Sequence, residues 1–159
     1  MASATRELLA AREDVWRFLA EPYHLSDWWP GIVGVEPDRR GFSVGARWRV
    51  STVANPLPVV LLSRLPRIGR PSGPTGVQTL VIGEIAAPER WVWQLVSGAR
   101  AGVEGRVQTA RVVVTLRPLD PGRTEATIDV SGFGRRRDVQ LALTAADRLY
   151  DLVQTAATL

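Results

Sequence analysis

Apolar and polar positions change period along this chain, and each change marks an element. Over residues 12–20, Val15, Trp16, Leu19 and Ala20 fall on one stripe at helical spacing. Glu13 and Asp14 occupy the first turn, where carboxylates suit the helix dipole, and Pro22 interrupts the run. A second short helical turn is expected over residues 23–28, before Pro30-Gly31. The period then becomes two. Residues 32–36 and 45–53 read as strands, the latter with Ala46, Trp48 and Val50 on one face and Arg47, Arg49 and Ser51 on the other. Residues 77–87 form a long strand, Pro88-Glu89-Arg90 a tight connection, and residues 91–97 the returning hairpin partner. Residues 107–117 alternate Ala110, Val112, Val114 and Leu116 against Thr109, Arg111, Val113 and Thr115. After a turn at residues 119–122, residues 124–131 place Ala126, Ile128 and Val130 on one face. Residues 3–10 fit either a first edge strand, through Ser3, Thr5 and Leu8, or the start of a helix through residues 7–11.

The chain closes with its clearest amphipathic helix, residues 136–158. Val139, Ala142, Leu143, Ala146, Leu149, Tyr150, Val153 and Ala156 recur at three- and four-residue steps. Gly132 and Gly134 are expected to turn the backbone onto the sheet beforehand. Residues 54–76 break the pattern. Pro56, Pro58, Pro66, Pro71 and Pro74, with Gly69, Gly73 and Gly76, leave no regular strand. This Pro/Gly-rich insertion reads as a lid or a disordered segment; Val59-Val60-Leu61-Leu62, followed by Arg64, Arg67 and Arg70, also makes it a candidate protein contact. No internal repeat or second domain is visible, so residues 1–159 are read as one domain.

Composition narrows the chemistry. There is no cysteine and one histidine, His24, so thiolate and histidine-rich metal sites are excluded and no cofactor is expected. The twenty basic residues are all arginine, scattered among acidic residues, with a net charge of +4. A nucleic-acid surface would cluster them on one face, so no nucleic-acid partner is expected. No apolar run is long enough to span a membrane, and residues 1–11 lack the apolar core of a secretory signal. A cytoplasmic protein without stable membrane insertion is expected.

A strand, two short helices, an antiparallel series and one long C-terminal helix form an α+β helix-grip pattern: a curved antiparallel sheet wrapped around the helix, with space between them. Residues 11–19 (Ala-Arg-Glu-Asp-Val-Trp-Arg-Phe-Leu), Leu25-Ser26-Asp27-Trp28-Trp29-Pro30, Gly45-Ala46-Arg47-Trp48 and Pro88-Glu89-Arg90-Trp91 carry a resemblance to the START-like (SRPBCC) superfamily, the polyketide cyclase/dehydrase and lipid-transport family. The likeness covers most of the chain outside residues 54–76. It implies an internal pocket, while the motifs themselves mark the fold and not one activity.

Six tryptophans suit an aromatic-lined cavity. Core packing is the plainer reading for Trp16 and for one of Trp28 and Trp29, whereas Trp48, Trp91 and Trp93 are candidates to touch a ligand. Glu84, Gln94 and Arg111 lie mid-strand, as does Gln108; any that point inward must be paired and so become candidates to orient a ligand, but a solvated outer face is the ordinary alternative. An inward Arg111 facing Glu84 would be a buried ion pair marking a site. Tyr150 on the last helix completes the ligand-binding candidates. Histidine is the side-chain type best suited to proton transfer near neutral pH, but His24 has no partner by spacing, so no catalytic residue is assigned. Arg135-Arg136-Arg137 oppose the dipole of the helix they begin; they are either a solvated corner or a binder of an anionic headgroup or carboxylate at the cavity mouth, with Asp138 partly offsetting them.

These observations favour a binding protein for a lipid, polyketide or aromatic metabolite. An aromatase/cyclase-like enzyme, orienting a poly-ketone without metal or covalent nucleophile, is second, with His24, Tyr150, Glu84 and Arg111 as its candidates. A protein-interaction module, using residues 57–62 and a grip filled by tryptophan, is third.

Overall fold

The computed structural model describes residues 1–53, 76–96 and 109–157. The expected insertion, Gly76 apart, and Gln108 therefore lie outside the described residues. In chain order the elements are β1 (Ala2–Leu8), α1 (Arg12–Ala20), a 3₁₀ turn (Pro22–His24), α2 (Leu25–Trp28), β2 (Ile32–Glu36), β3 (Arg47–Thr52), β4 (Gly76–Ala86), β5 (Arg90–Val96), β6 (Thr109–Asp120), β7 (Arg123–Ser131) and α3 (Arg135–Ala157). The seven strands form one antiparallel sheet in the order β1-β7-β6-β5-β4-β3-β2, and α3 lies chiefly over β1 and β7. With the short helices near the N-terminus, this is the helix-grip architecture. The ambiguous N-terminal segment is an edge strand, held by pairing with β7 from Ala2↔Val130 to Leu8↔Thr124. That partner is more than a hundred residues away, so no local pattern reveals it.

Register turns the strand alternation into a continuous core. Trp48, Leu80, Leu95 and Ala110 stand in one cross-strand row, and Ile82, Trp93, Val112 and Val130 in another. All eight are buried. A one-residue slip in any strand would turn its members to the opposite face. Thr124 is fully buried and donates its hydroxyl to the Ala10 carbonyl at 2.8 Å, tying β7 to the entry of α1.

The C-terminal helix keeps most of its expected face and departs from it at Val139 and Leu143. Val139 and Leu143 are exposed, whereas Asp138, Ala142, Ala145, Ala146, Leu149 and Val153 are buried. The seam uses alanines, whose small side chains let the helix backbone approach the sheet; the larger Val139 and Leu143 stand beside that seam. Asp138 is buried because its carboxylate accepts the Phe133 backbone N–H at 2.9 Å. Gly132, with φ of 101°, makes the turn into α3 possible. A Cβ there would lie 2.6 Å from the Thr109 carbonyl oxygen and 2.7 Å from Ala110 Cα. No described helix is long and apolar enough to cross a membrane.

Candidate functional site

The inward face of β3 carries Trp48 and that of β5 carries Trp91 and Trp93, and α2 with its C-cap brings Trp28 and Trp29 down onto them. All five indoles are buried and form a continuous aromatic cluster. Ring centroids are 5.9 Å apart for Trp48–Trp91, 6.1 Å for Trp91–Trp93, 6.3 Å for Trp28–Trp91 and 5.0 Å for Trp29–Trp93. Phe42 closes the β3 side, with its ring 5.0 Å from that of Trp91. This part of the grip is filled by protein.

The cluster has an unusual polar account. Trp48 Nε1 donates to the Gly41 carbonyl at 2.8 Å. The indole N–H groups of Trp28, Trp91 and Trp93 are buried and have no acceptor among the described residues. A buried donor without a partner costs about 1–3 kcal/mol, so three in neighbouring rings mark the cluster as more than inert packing.

Open space begins on the far flank of Trp29. A cavity of about 190 Å³ lies between the first turns of α3 and the ends of β3 to β6. Among the described residues its walls are Trp29, Pro30, Gly31 and Ile32 on one side, Leu95, Ala110 and Gly132 on the sheet side, and Phe133 and Leu141 beneath α3. Its polar wall groups are Thr52, Gln78 and Arg137. Trp29 is the partition between this space and the deeper cluster: its ring meets Phe133 at 6.4 Å on one side and Trp93 at 5.0 Å on the other.

The candidate residues therefore separate into distinct places. Trp48, Trp91 and Trp93 come together in the filled cluster behind Trp29. Glu84 stands exposed on the outer side, 3.4 Å from the Arg90 guanidinium. Gln94 and Arg111 are cross-strand neighbours on β5 and β6, alternating with the inward Trp93, Leu95, Ala110 and Val112; Gln94 is half-buried and Arg111 exposed. The buried Glu84–Arg111 pair that would have marked a site is not formed. Tyr150 belongs to the seam between α3 and β1: its hydroxyl accepts from Gln154 Nε2 at 2.6 Å, and the Arg6 guanidinium sits 4.1 Å from its ring centre. His24 stacks on Phe18 at 4.3 Å and engages the Phe18 carbonyl through Nδ1, away from the cavity.

Residues that sequence reasoning did not single out complete the cavity. Leu95 and Ala110 continue the inward alternation of Trp93 and Val112 and were legible as inward positions. Phe133, between two turn-forming glycines, carried the signal of an apolar side chain where the chain has no regular period. The arginine run divides: Arg137 lines the cavity, while Arg135 and Arg136 face a separate groove beside Met1 and Val139. No cluster of metal-ligating side chains occurs among the described residues.

No family model matches the chain, and no curated protein matches it. Solved structures do share its architecture. Protein MLL2253 from Mesorhizobium loti superposes with a TM-score of 0.59 at 17% identity, covering 96% of this chain and 97% of that one. DynU16, a protein of the dynemicin biosynthetic locus, gives 0.61 at 17% identity over 98% of this chain. The di-domain ARO/CYC StfQ, from the steffimycin biosynthetic pathway, gives 0.59 at 18% identity over 99%. This chain spans 47% of DynU16 and 44% of StfQ, so it corresponds in length to about half of each. At these identities the likeness is one of fold alone.

Proposed function

We propose that this chain is a START-like binding protein that receives an apolar, ring-bearing small molecule between its sheet and its C-terminal helix. The observation that carries the reading is the cavity beside Trp29, lined by aromatic and aliphatic side chains together with Thr52, Gln78, Arg137 and backbone polar groups. At about 190 Å³ it is smaller than the roughly 300–1,000 Å³ of most ligand sites. It accommodates a small ring system or the leading end of a longer molecule. Greater depth requires movement of Trp29, which would give a ligand oxygen access to the unpaired indole donor of Trp93.

The cyclase-like reading ranks second. It gains from the shared architecture with StfQ, but it requires proton-transfer groups gathered around a reacting carbon. The described walls supply Thr52, Gln78 and Arg137, without carboxylate or imidazole. The interaction-module reading expected a filled grip, which the tryptophan cluster provides in part; its contact segment, residues 57–62, lies outside the described residues.

Native mass spectrometry of the gently purified protein, followed by extraction of bound material, tests the proposal. A co-purifying apolar molecule, absent from a Leu141→Trp variant with an unchanged circular-dichroism spectrum, supports it. An empty protein that also fails to bind neutral bicyclic aromatic probes by calorimetry overturns it.

A further inference from the structure

The cavity mouth is electrostatically one-sided. Arg137 lies in the first turn of a 23-residue helix, the end where backbone dipoles already concentrate positive potential. Arg135 and Arg136 precede it, and the nearest acid, Asp138, is turned away to accept the Phe133 N–H. Arg137 forms no ion pair among the described residues; its guanidinium rests 5.6 Å from the centre of the Phe133 ring. A cation at this end of a helix is locally unfavourable. Here one lines the cavity, with its guanidinium over the aromatic ring that forms part of the wall. An anion placed between the guanidinium and the helix end would relieve that cost, and the apolar walls would take the body to which the anion is attached.

Resting on the binding function proposed above, we infer that the ligand is an aromatic carboxylate: its rings lie against Trp29, Phe133 and Leu141, and its carboxylate is paired with Arg137. Arginine suits this role because its planar guanidinium presents parallel donors to the two carboxylate oxygens while its face stacks on an aromatic ring. Gln78, also in the cavity wall, offers a polar contact to a second substituent.

The test compares 2-naphthoate with 2-naphthamide, which share a ring system and differ in charge, by calorimetry on the full-length protein at neutral pH. Wild type is expected to bind naphthoate about fivefold more tightly, the upper range for a partly exposed ion pair. Arg137→Gln is expected to remove that preference, so that the two probes bind the variant equally. Arg137→Lys should retain part of it, and Arg136→Gln, whose side chain is not in the cavity wall, should keep nearly all of it. Raising salt to about 0.5 M should shrink the preference in wild type. Circular dichroism verifies that each variant is folded. Equal binding of the two probes to wild type, or a preference that survives in Arg137→Gln, overturns the carboxylate assignment and leaves the apolar cavity standing. Failure of both probes to bind overturns the cavity reading as well.

Discussion

Replacing Trp29 with alanine removes the partition between the cavity and the tryptophan cluster, and its cost follows from what the ring touches. Truncating a buried tryptophan costs about 3–5 kcal/mol. Trp29 is 2% exposed and packs on Trp28, Trp93 and Phe133 at centroid distances of 5.8, 5.0 and 6.4 Å. One flank borders the cavity and has fewer partner atoms to lose, which places Trp29→Ala at the low end, about 3 kcal/mol. Trp48 has no exposed surface, packs on Phe42 and Trp91, and donates to the Gly41 carbonyl, so Trp48→Ala belongs at the high end, about 5 kcal/mol. Against a total stability of about 5–15 kcal/mol, Trp29→Ala remains folded. Its melting temperature should fall by roughly 6–12 °C for a domain of this size. The same truncation extends the cavity toward the Trp93 ring, which lies 5.0 Å from that of Trp29. A three-ring ketone such as anthrone should therefore bind Trp29→Ala more tightly than wild type. Urea unfolding measures the cost, and calorimetry with anthrone measures the gain. A cost below about 1 kcal/mol, or one equal to that of Trp48→Ala with no gain in anthrone binding, would refute the partition argument.

Other outcomes follow from single contacts. Thr124→Val leaves the Ala10 carbonyl without its buried donor and should cost about 1–3 kcal/mol, read as a lower urea midpoint at unchanged slope. Ala145→Leu should destabilise by about 1–3 kcal/mol because Ala145 lies fully buried in the helix seam, whereas Leu143→Ala, on the exposed side, should stay within about 0.5 kcal/mol; equal effects in thermal melts would contradict the observed helix face. The Asp120 carboxyl is held below its ordinary value of 3.8, first by the Arg123 guanidinium and then by the Gly122 N–H. Its folded pKa is depressed, so its contribution is complete above that ordinary value and is lost as pH falls through the lower folded one. Wild type should consequently lose stability more steeply than Asp120→Asn on acidification below about pH 4, and parallel curves in acid titrations followed by circular dichroism would contradict this.

Much of the sheet was legible because strand alternation is a local property. Ala46, Trp48 and Val50 turn inward together, as do Ala110, Val112, Val114 and Leu116, because consecutive side chains on a strand must point to opposite faces. Helix positions were legible for the same reason, and Ala142, Ala146, Leu149 and Val153 of the expected α3 stripe are buried. Hydrophobicity also favoured Val139 and Leu143, whereas the packed seam takes in Ala145 instead, since close approach to a sheet rewards small side chains. The edge strand β1 was ambiguous because its identity comes from a pairing partner at the other end of the chain.

The amino-acid sequence by itself determined the order of elements, the alternation along β3, β6 and β7, the shared face of Trp91 and Trp93 and the lack of cysteine chemistry. Tertiary structure alone decided that Trp48, Trp91 and Trp93 pack upon one another behind Trp29, that the cavity opens on the opposite flank of that ring, and that Arg137, out of three consecutive arginines, reaches it. The reason is physical. Alternation and helical period are set by bonds between neighbouring residues, whereas a cavity is the space left when distant elements meet, and its shape depends on register, helix rotation and side-chain volume together.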